Sequence, residues 1–366
     1  MKFTINQKEL EKALEITSNV AAKKVVNPAL QGALLTVNNN ILEIQSSDSE
    51  VFLSIKISCE SQENGKILVR TSLFKDIVKN FASPFIDLSL NGSTLHLTSG
   101  ETRYKAQLNT LSLEDFPSFP SEMKDDILFS LPSSEFKAML HKTIPFAAKD
   151  DIRPTFNSIF FDKDDIEFRL ISSDTKRLAL TKEFLTQTQG SFHFLIPLKT
   201  ATILENMFSK SLPVDLSINN NMVTFSYGNM VLISNQIDGN FPDYRNVIPN
   251  ETPFILTLSK EEFLGTLKTL SPFYNGDSQK LTLTINSGEI IFETEKTEMG
   301  EANNNMKIDY QGESLSIAFN YKFLQEILGI IEDSTFIMKL SAQEKPAIFQ
   351  GSTKPNDLFV CVPMKL

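Results

Sequence analysis

A chain of 366 residues with 41% hydrophobic side chains is long enough to build two or three hydrophobic cores. It has no run near the ~18 apolar residues of a membrane span, no signal-peptide core in "MKFTINQKEL" and only two cysteines, so a cytoplasmic protein without a disulfide framework is expected. The net charge of −10 argues against nucleic acid, but surface charge is screened beyond ~8–10 Å, so its distribution decides.

The first predicted elements are a short alternating strand and an amphipathic helix, in "MKFTINQKELEKALEIT". The strand pair "LEIQSSDSEVFLSI" (42–55) follows, then a second strand and helix in "KILVRTSLFKDIVKNF" (66–81). The pair "IDLSLNGSTLHLTS" (86–99) turns at "NG", a type I′ signal because both turn residues need positive φ. "LEDFPSFPSEMKDD" (113–126) is rich in proline, which cannot serve a central strand, and reads as a linker.

From Ile127 the order restarts with "ILFSLPSSEFKAMLHKT", and from Pro253 with "PFILTLSKEEFLGTLKT". Leu10, Phe136 and Phe263 fall in register, as do Leu14, Leu140 and Leu267. The second helices repeat too: Val69, Ile196 and Phe319 align, then Ile77, Leu204 and Ile327. The expected fold is α+β, with three tandem similar domains at 1–118, 126–247 and 253–366, each made of two βαβββ units with short helices. The joint at 237–253, "IDGNFPDYRNVIPNETP", is a second linker.

The six predicted helix windows carry +4 and the rest of the chain −14. Lys23, Lys24, Lys75, Lys79, Lys149, Arg153 and Lys199 are the denser basic positions, and Lys23 and Lys149 are repeat equivalents. Two readings stand: a solvated helix face, or phosphate contact without base reading.

No site chemistry stands out. The three histidines are scattered, with His96 read as a surface or edge strand residue, and no zinc spacing, dinucleotide fingerprint or phosphate loop occurs. Ser47–Asp48 and Ser173–Asp174 have no histidine partner in the repeat and read as turns. The expectation is a binding protein with no catalytic residues, cofactor or metal. The ending "LFVCVPMKL" is either a last paired strand or an adaptable apolar pocket wall.

"MKFTI", "SSDTKRLAL" (172–180), "DGNFPDYRNVIP" (238–249), "FNYKFLQEIL" (319–328) and "VPMKL" together resemble the bacterial DNA sliding clamp, the β subunit of DNA polymerase III. The resemblance runs the whole chain. It implies helices lining the inside and antiparallel sheets outside, with two chains closing head to tail into a ring around double-stranded DNA. It implies a non-catalytic processivity factor that holds the replicative polymerase subunit, the clamp loader and other motif-bearing partners. Their peptides would dock in a pocket between the second and third domains. The matching positions are Phe156, Ser173, Thr175, Lys176, Arg177, Leu178, Pro242, Asn246, Val247, Asn320, Phe323, Pro346, Val360, Val362, Pro363, Met364, Lys365 and Leu366. At the subunit contact they are Ala106 and Leu108, facing Leu270 and Phe273.

Thr175 and Lys176 stand where the family commonly has Gly and His, Asn246 where a basic residue is frequent, and Phe323 where Tyr is. Ala106 is smaller than the usual aromatic. The other reading is a three-domain protein-interaction scaffold that never encircles DNA, which the acidic pI favours.

Overall fold

The computed structural model describes residues 1–22, 26–100, 103–120, 127–185, 190–219, 221–274, 279–298 and 300–366. Lys23 and Lys24 lie outside the described residues, as does the end of the first linker.

Six helices are present among them: α1 (Gln7–Val20), α2 (Thr71–Lys79), α3 (Ser133–Thr143), α4 (Leu198–Met207), α5 (Lys260–Leu270) and α6 (Tyr321–Ile330). Each follows directly on one strand and precedes three, so the order is βαβββ six times, with one additional strand at Glu60–Glu63. The abrupt strand-to-helix passage has a local cause. An N-cap residue keeps extended dihedrals while its side chain accepts from the first turn. Asn6, Ser259 and Asn320 do this, ending a strand and capping a helix at once.

The six aligned positions of the first helices, Leu10, Leu14, Phe136, Leu140, Phe263 and Leu267, are all fully buried. On the second helices Leu204 and Ile327 are buried as expected, but Ile77 is only half-buried. Val78 takes the core place there, because α2 buries Thr71, Phe74 and Val78 on a narrower stripe.

Packing separates two compact units, and the division falls inside the middle repeat. One unit consists mainly of Met1–Lys137 and Lys199–Gln236. Its thirteen-stranded sheet joins Met230–Asn235 to Val51–Ser58 in antiparallel register. The other consists mainly of Ala138–Thr186 and Ile237–Leu366. Its eight-stranded sheet joins Arg177–Phe184 to Asp357–Cys361, and a four-stranded sheet ends at Asn303–Lys307. In each unit, strands far apart in sequence share a sheet, which overrides sequence neighbourhood.

Of the six strands that close a βαβββ unit, two keep an open side among the described residues. Ala106–Leu111 pairs with Thr94–Thr98 over Ala106–Asn109, but meets Gly65–Arg70 only at Thr110 and Leu111. Asn303–Lys307 pairs only with Glu289–Thr294.

The hairpin at 91–94 departs from the type I′ expectation. Its loop residues are Gly92 and Ser93, and only Gly92 has positive φ (60°), the pattern of a II′ turn. The I′ pattern occurs instead at Asn39 and Asn40, with φ of 50° and 62°. His96 is not an edge residue, since its strand is paired on both sides.

Candidate peptide-binding site

The turn at 172–178 and the turn at 46–51 are built alike. Asp174 Oδ1 accepts from the backbone N–H groups of Lys176 (2.9 Å) and Arg177 (2.7 Å), as Asp48 Oδ1 does from Glu50 (3.1 Å) and Val51 (2.8 Å). Ser173 Oγ accepts from the Thr175 N–H and Ser47 Oγ from the Ser49 N–H. Both Ser-Asp pairs are therefore turn formers, as their residue types suggested. The turn forces Thr175 to φ 71° and Ser49 to φ 80°, the region that favours glycine.

Beside the 172–178 turn lies a cavity of about 290 Å³. The turn contributes Ser173, Thr175, Lys176, Arg177 and Leu178, and the following linker Phe241, Pro242, Tyr244 and Val247. The C-terminal strand and tail add Val360 and Val362, and a loop after α3 adds Arg153 and Phe156. The lining is largely apolar with a few cations and no carboxylate.

A small separate core forms its floor. Ile171, Leu178, Leu180, Tyr244 and Val360 cluster there, with Phe160, Phe241, Ile248 and Leu358 packed against them. Phe160 and Phe241 stack at 5.1 Å. Tyr244 is buried and donates to Asp162 Oδ2 (2.7 Å), which also receives Arg169 (3.3 Å) and Arg245 (3.4 Å). Burial, and then the Asp162 carboxylate, push the Tyr244 phenol well above its ordinary range. The linker is thus fixed to the sheet by one polar hub and one aromatic stack.

Arg177 braces the other wall. Its guanidinium pairs with Asp174 (3.0 Å) and with Glu326 of α6, and its face covers Phe323 at 4.2 Å and Phe146 at 5.1 Å. The tail is pinned by two backbone bonds, Val362 N–H to Lys176 O (2.8 Å) and Met364 N–H to Ala318 O (2.7 Å). The ending is therefore a paired strand from which Val360 and Val362 line the cavity, while the Met-Leu tip on which the pocket reading rested lies outside the lining. Met364 and Leu366 remain 38% and 48% exposed.

The structure brings ten of the expected pocket residues to the cavity wall: Phe156, Ser173, Thr175, Lys176, Arg177, Leu178, Pro242, Val247, Val360 and Val362. Asn246 instead bonds Asp243 (3.1 Å), and Asn320 caps α6. Phe323 lies under Arg177, while Pro346, Pro363, Met364, Lys365 and Leu366 are outside the lining. Phe241 and Tyr244 were missed, although two aromatics three residues apart in a proline-rich linker are the signal for a packed rather than free segment.

Arg153, expected among the DNA-facing cations, lines this cavity. Of those, Lys199 pairs with Asp48 and donates to the Val20 carbonyl at the end of α1 (3.2 Å), so its charge is spent within the chain. Lys75 is half-buried, its Nζ 3.5 Å from Ser18 Oγ, whereas Lys79 and Lys149 are exposed. Leu108 and Leu270 face inward, at 4% and 1% exposure, leaving Ala106 and Phe273 part-exposed at the expected contact.

Three family models match in series: the DNA polymerase III beta subunit N-terminal domain over residues 1–120, its central domain over 130–243 and its C-terminal domain over 245–365. The chain belongs to the DNA polymerase III beta subunit family. The beta sliding clamp of Chlamydia muridarum is 26% identical over 368 residues, covering 100% of this chain and 99% of that protein. The beta sliding clamp of Vibrio cholerae is 26% identical over 369 residues, with both chains covered in full. Among solved structures, the beta subunit from Thermotoga maritima superposes with a TM-score of 0.94 at 25% identity, covering 100% of this chain and 99% of that one. This beta subunit has the three-domain clamp fold and is a DNA sliding clamp, a non-catalytic processivity factor. No helix among its described residues is long and apolar enough to cross a membrane.

Proposed function

We propose that two copies of this chain close head to tail into a ring around double-stranded DNA, in the cytoplasm, and that the cavity beside the 172–178 turn receives peptide segments of the polymerase, the clamp loader and other partners. The strand pairing carries the first part. Each βαβββ unit ends in a strand. The last strand of the fourth unit (Met230–Asn235) pairs with that of the first (Val51–Ser58), and the last strand of the sixth (Asp357–Cys361) pairs with that of the third (Arg177–Phe184). The same rule would pair the second unit's Ala106–Leu111 with the fifth unit's Asn303–Lys307, and among the described residues these are the two closing strands with an open side. A second copy satisfies both at once, and a heterologous contact of this kind makes a closed ring when its rotation closes. Ala106 and Phe273 would lie at the contact, with Leu108 and Leu270 beneath it.

Lys75, Lys79 and Lys149 would face the DNA without reading its sequence. A ring holds DNA by topology, so a modest positive lining suffices. Native mass measures the dimer directly, at twice the 41.2 kDa of one chain. Loaded protein should stay on circular DNA and leave linear DNA; equal loss from both rejects the ring. Removing Met364–Leu366 should abolish peptide binding and leave the melting transition in place. Unchanged binding would reject the tail's role in holding the peptide.

A further inference from the structure

Like Arg177, which also pairs with Glu326, Arg153 is held by a nearby aspartate and an aromatic ring. Its Nε donates to Asp151 Oδ1 (2.9 Å) and its Nη2 to Asp151 Oδ2 (2.8 Å), a two-pronged pair. Its own backbone N–H also donates to Asp151 Oδ1 (2.8 Å). The guanidinium face lies 4.3 Å from the ring centre of Phe156, itself part of the cavity wall. The Arg153 hydrogen bonds hold the Asp151 carboxyl down at about 2, so the acid is ionised at any working pH. Two consequences follow. The guanidinium is fixed before a ligand arrives, so little side-chain freedom is lost on binding. Its charge is offset by Asp151, and Nη1 takes no part in that pair.

We propose that Asp151 is a specificity-determining residue for the peptide site, balancing the charge of Arg153 so that a cation which would seek a carboxylate becomes a positioned donor suited to an amide or carbonyl oxygen of the bound segment. The proposal rests on the peptide-site reading. It differs from a general preference for acidic peptides, which the exposed Lys176 on the same wall would give by itself.

The test compares hexapeptides with Leu and Phe anchors, carrying Asp or Asn at each remaining position, by fluorescence anisotropy at low salt. Asp151→Asn is the informative change, because its Oδ1 can still accept the Arg153 backbone N–H and keep the loop. At the position nearest Arg153, the affinity ratio of Asp to Asn peptides should rise about two- to fivefold in Asp151→Asn over the natural protein. The rise should shrink at high salt. Arg153→Gln should show no such rise, alone or combined with Asp151→Asn. An equal ratio in the natural protein and Asp151→Asn, with both melting normally, overturns the proposal and leaves the peptide site intact. If no hexapeptide binds the natural protein at all, the peptide site falls and this proposal with it. Should Asp151→Asn melt early, Asp151→Ser at the same position supplies the comparison, and an unchanged ratio there is equally decisive.

Discussion

Thr175 is the residue at which this chain departs most plainly from backbone preference. Its φ of 71° costs a residue with a Cβ roughly 1–2 kcal/mol, and branching at Cβ makes threonine a poor occupant. The side chain is exposed, and the turn's hydrogen bonds come from Ser173 and Asp174. Thr175→Gly should therefore raise stability by up to about 1 kcal/mol, the relief less the extra entropy glycine loses on folding. The denaturant midpoint measures it; a lower midpoint would mean that the threonine makes a compensating contact. Cys361 gives a second prediction at this scale. Burial pushes its thiol up to about 12, against 9.0 for a free one. The unfolded chain ionises first, so the thiol's contribution is whole below pH 9 and is lost as pH rises towards 12. Equilibrium unfolding of the natural protein and Cys361→Ala should give a constant difference up to pH 9, then move in the variant's favour. A difference that stays flat to pH 12 would show that the thiol is not buried.

At the scale of elements, the strand Asp357–Cys361 carries the most consequence, because Val360 within it and Val362 just past its end line the cavity. Its start is set by a buried ion pair, Lys142 of α3 to Asp357 at 2.7 Å, with Thr181 Oγ1 donating to the same carboxylate at 2.6 Å. Both charged side chains are only 10% exposed. Lys142→Met leaves a buried carboxylate without its cation and should cost about 3–5 kcal/mol. The double variant Lys142→Met, Asp357→Leu should regain most of that loss, since replacing both charges by apolar groups is often neutral. A double variant no better than the single would refute this account; chemical denaturation of all three proteins decides it. Peptide affinity should follow the strand, falling in the single variant and returning in the double. The repeat made much of this legible in advance: the six βαβββ units, their core positions and most of the turn that walls the cavity follow from periodicity and residue type. Pairing between remote strands was not legible. Nothing local in "RLALT" or "DLFVC" says that Leu178 will meet Val360. The place of Arg153 on the cavity wall was not legible for a related reason, since nothing in its own segment says that the segment lies beside the 172–178 turn.

For the whole molecule, the distribution of open strands matters more than net charge. A pI near 5.0 counts against DNA binding when charge is summed, yet a closed ring needs no strong attraction to hold a duplex. What it needs is closure, and the proposed closure puts a load on Asn303–Lys307. The Asn305 N–H is not spent on the neighbouring strand but goes to Asn304 Oδ1 (2.8 Å). Proline at 305 therefore removes a donor from the side where a second copy would pair, and edge strands tolerate proline on that side. Asn305→Pro should leave the thermal transition of the chain within a few degrees and shift its native mass from dimer to monomer. Retention on circular DNA should disappear with the dimer, while hexapeptide binding at the remote cavity persists. A dimer that survives the proline would place the subunit contact elsewhere. Loss of peptide binding together with the dimer would mean that the cavity depends on assembly, which the separate core beneath it argues against.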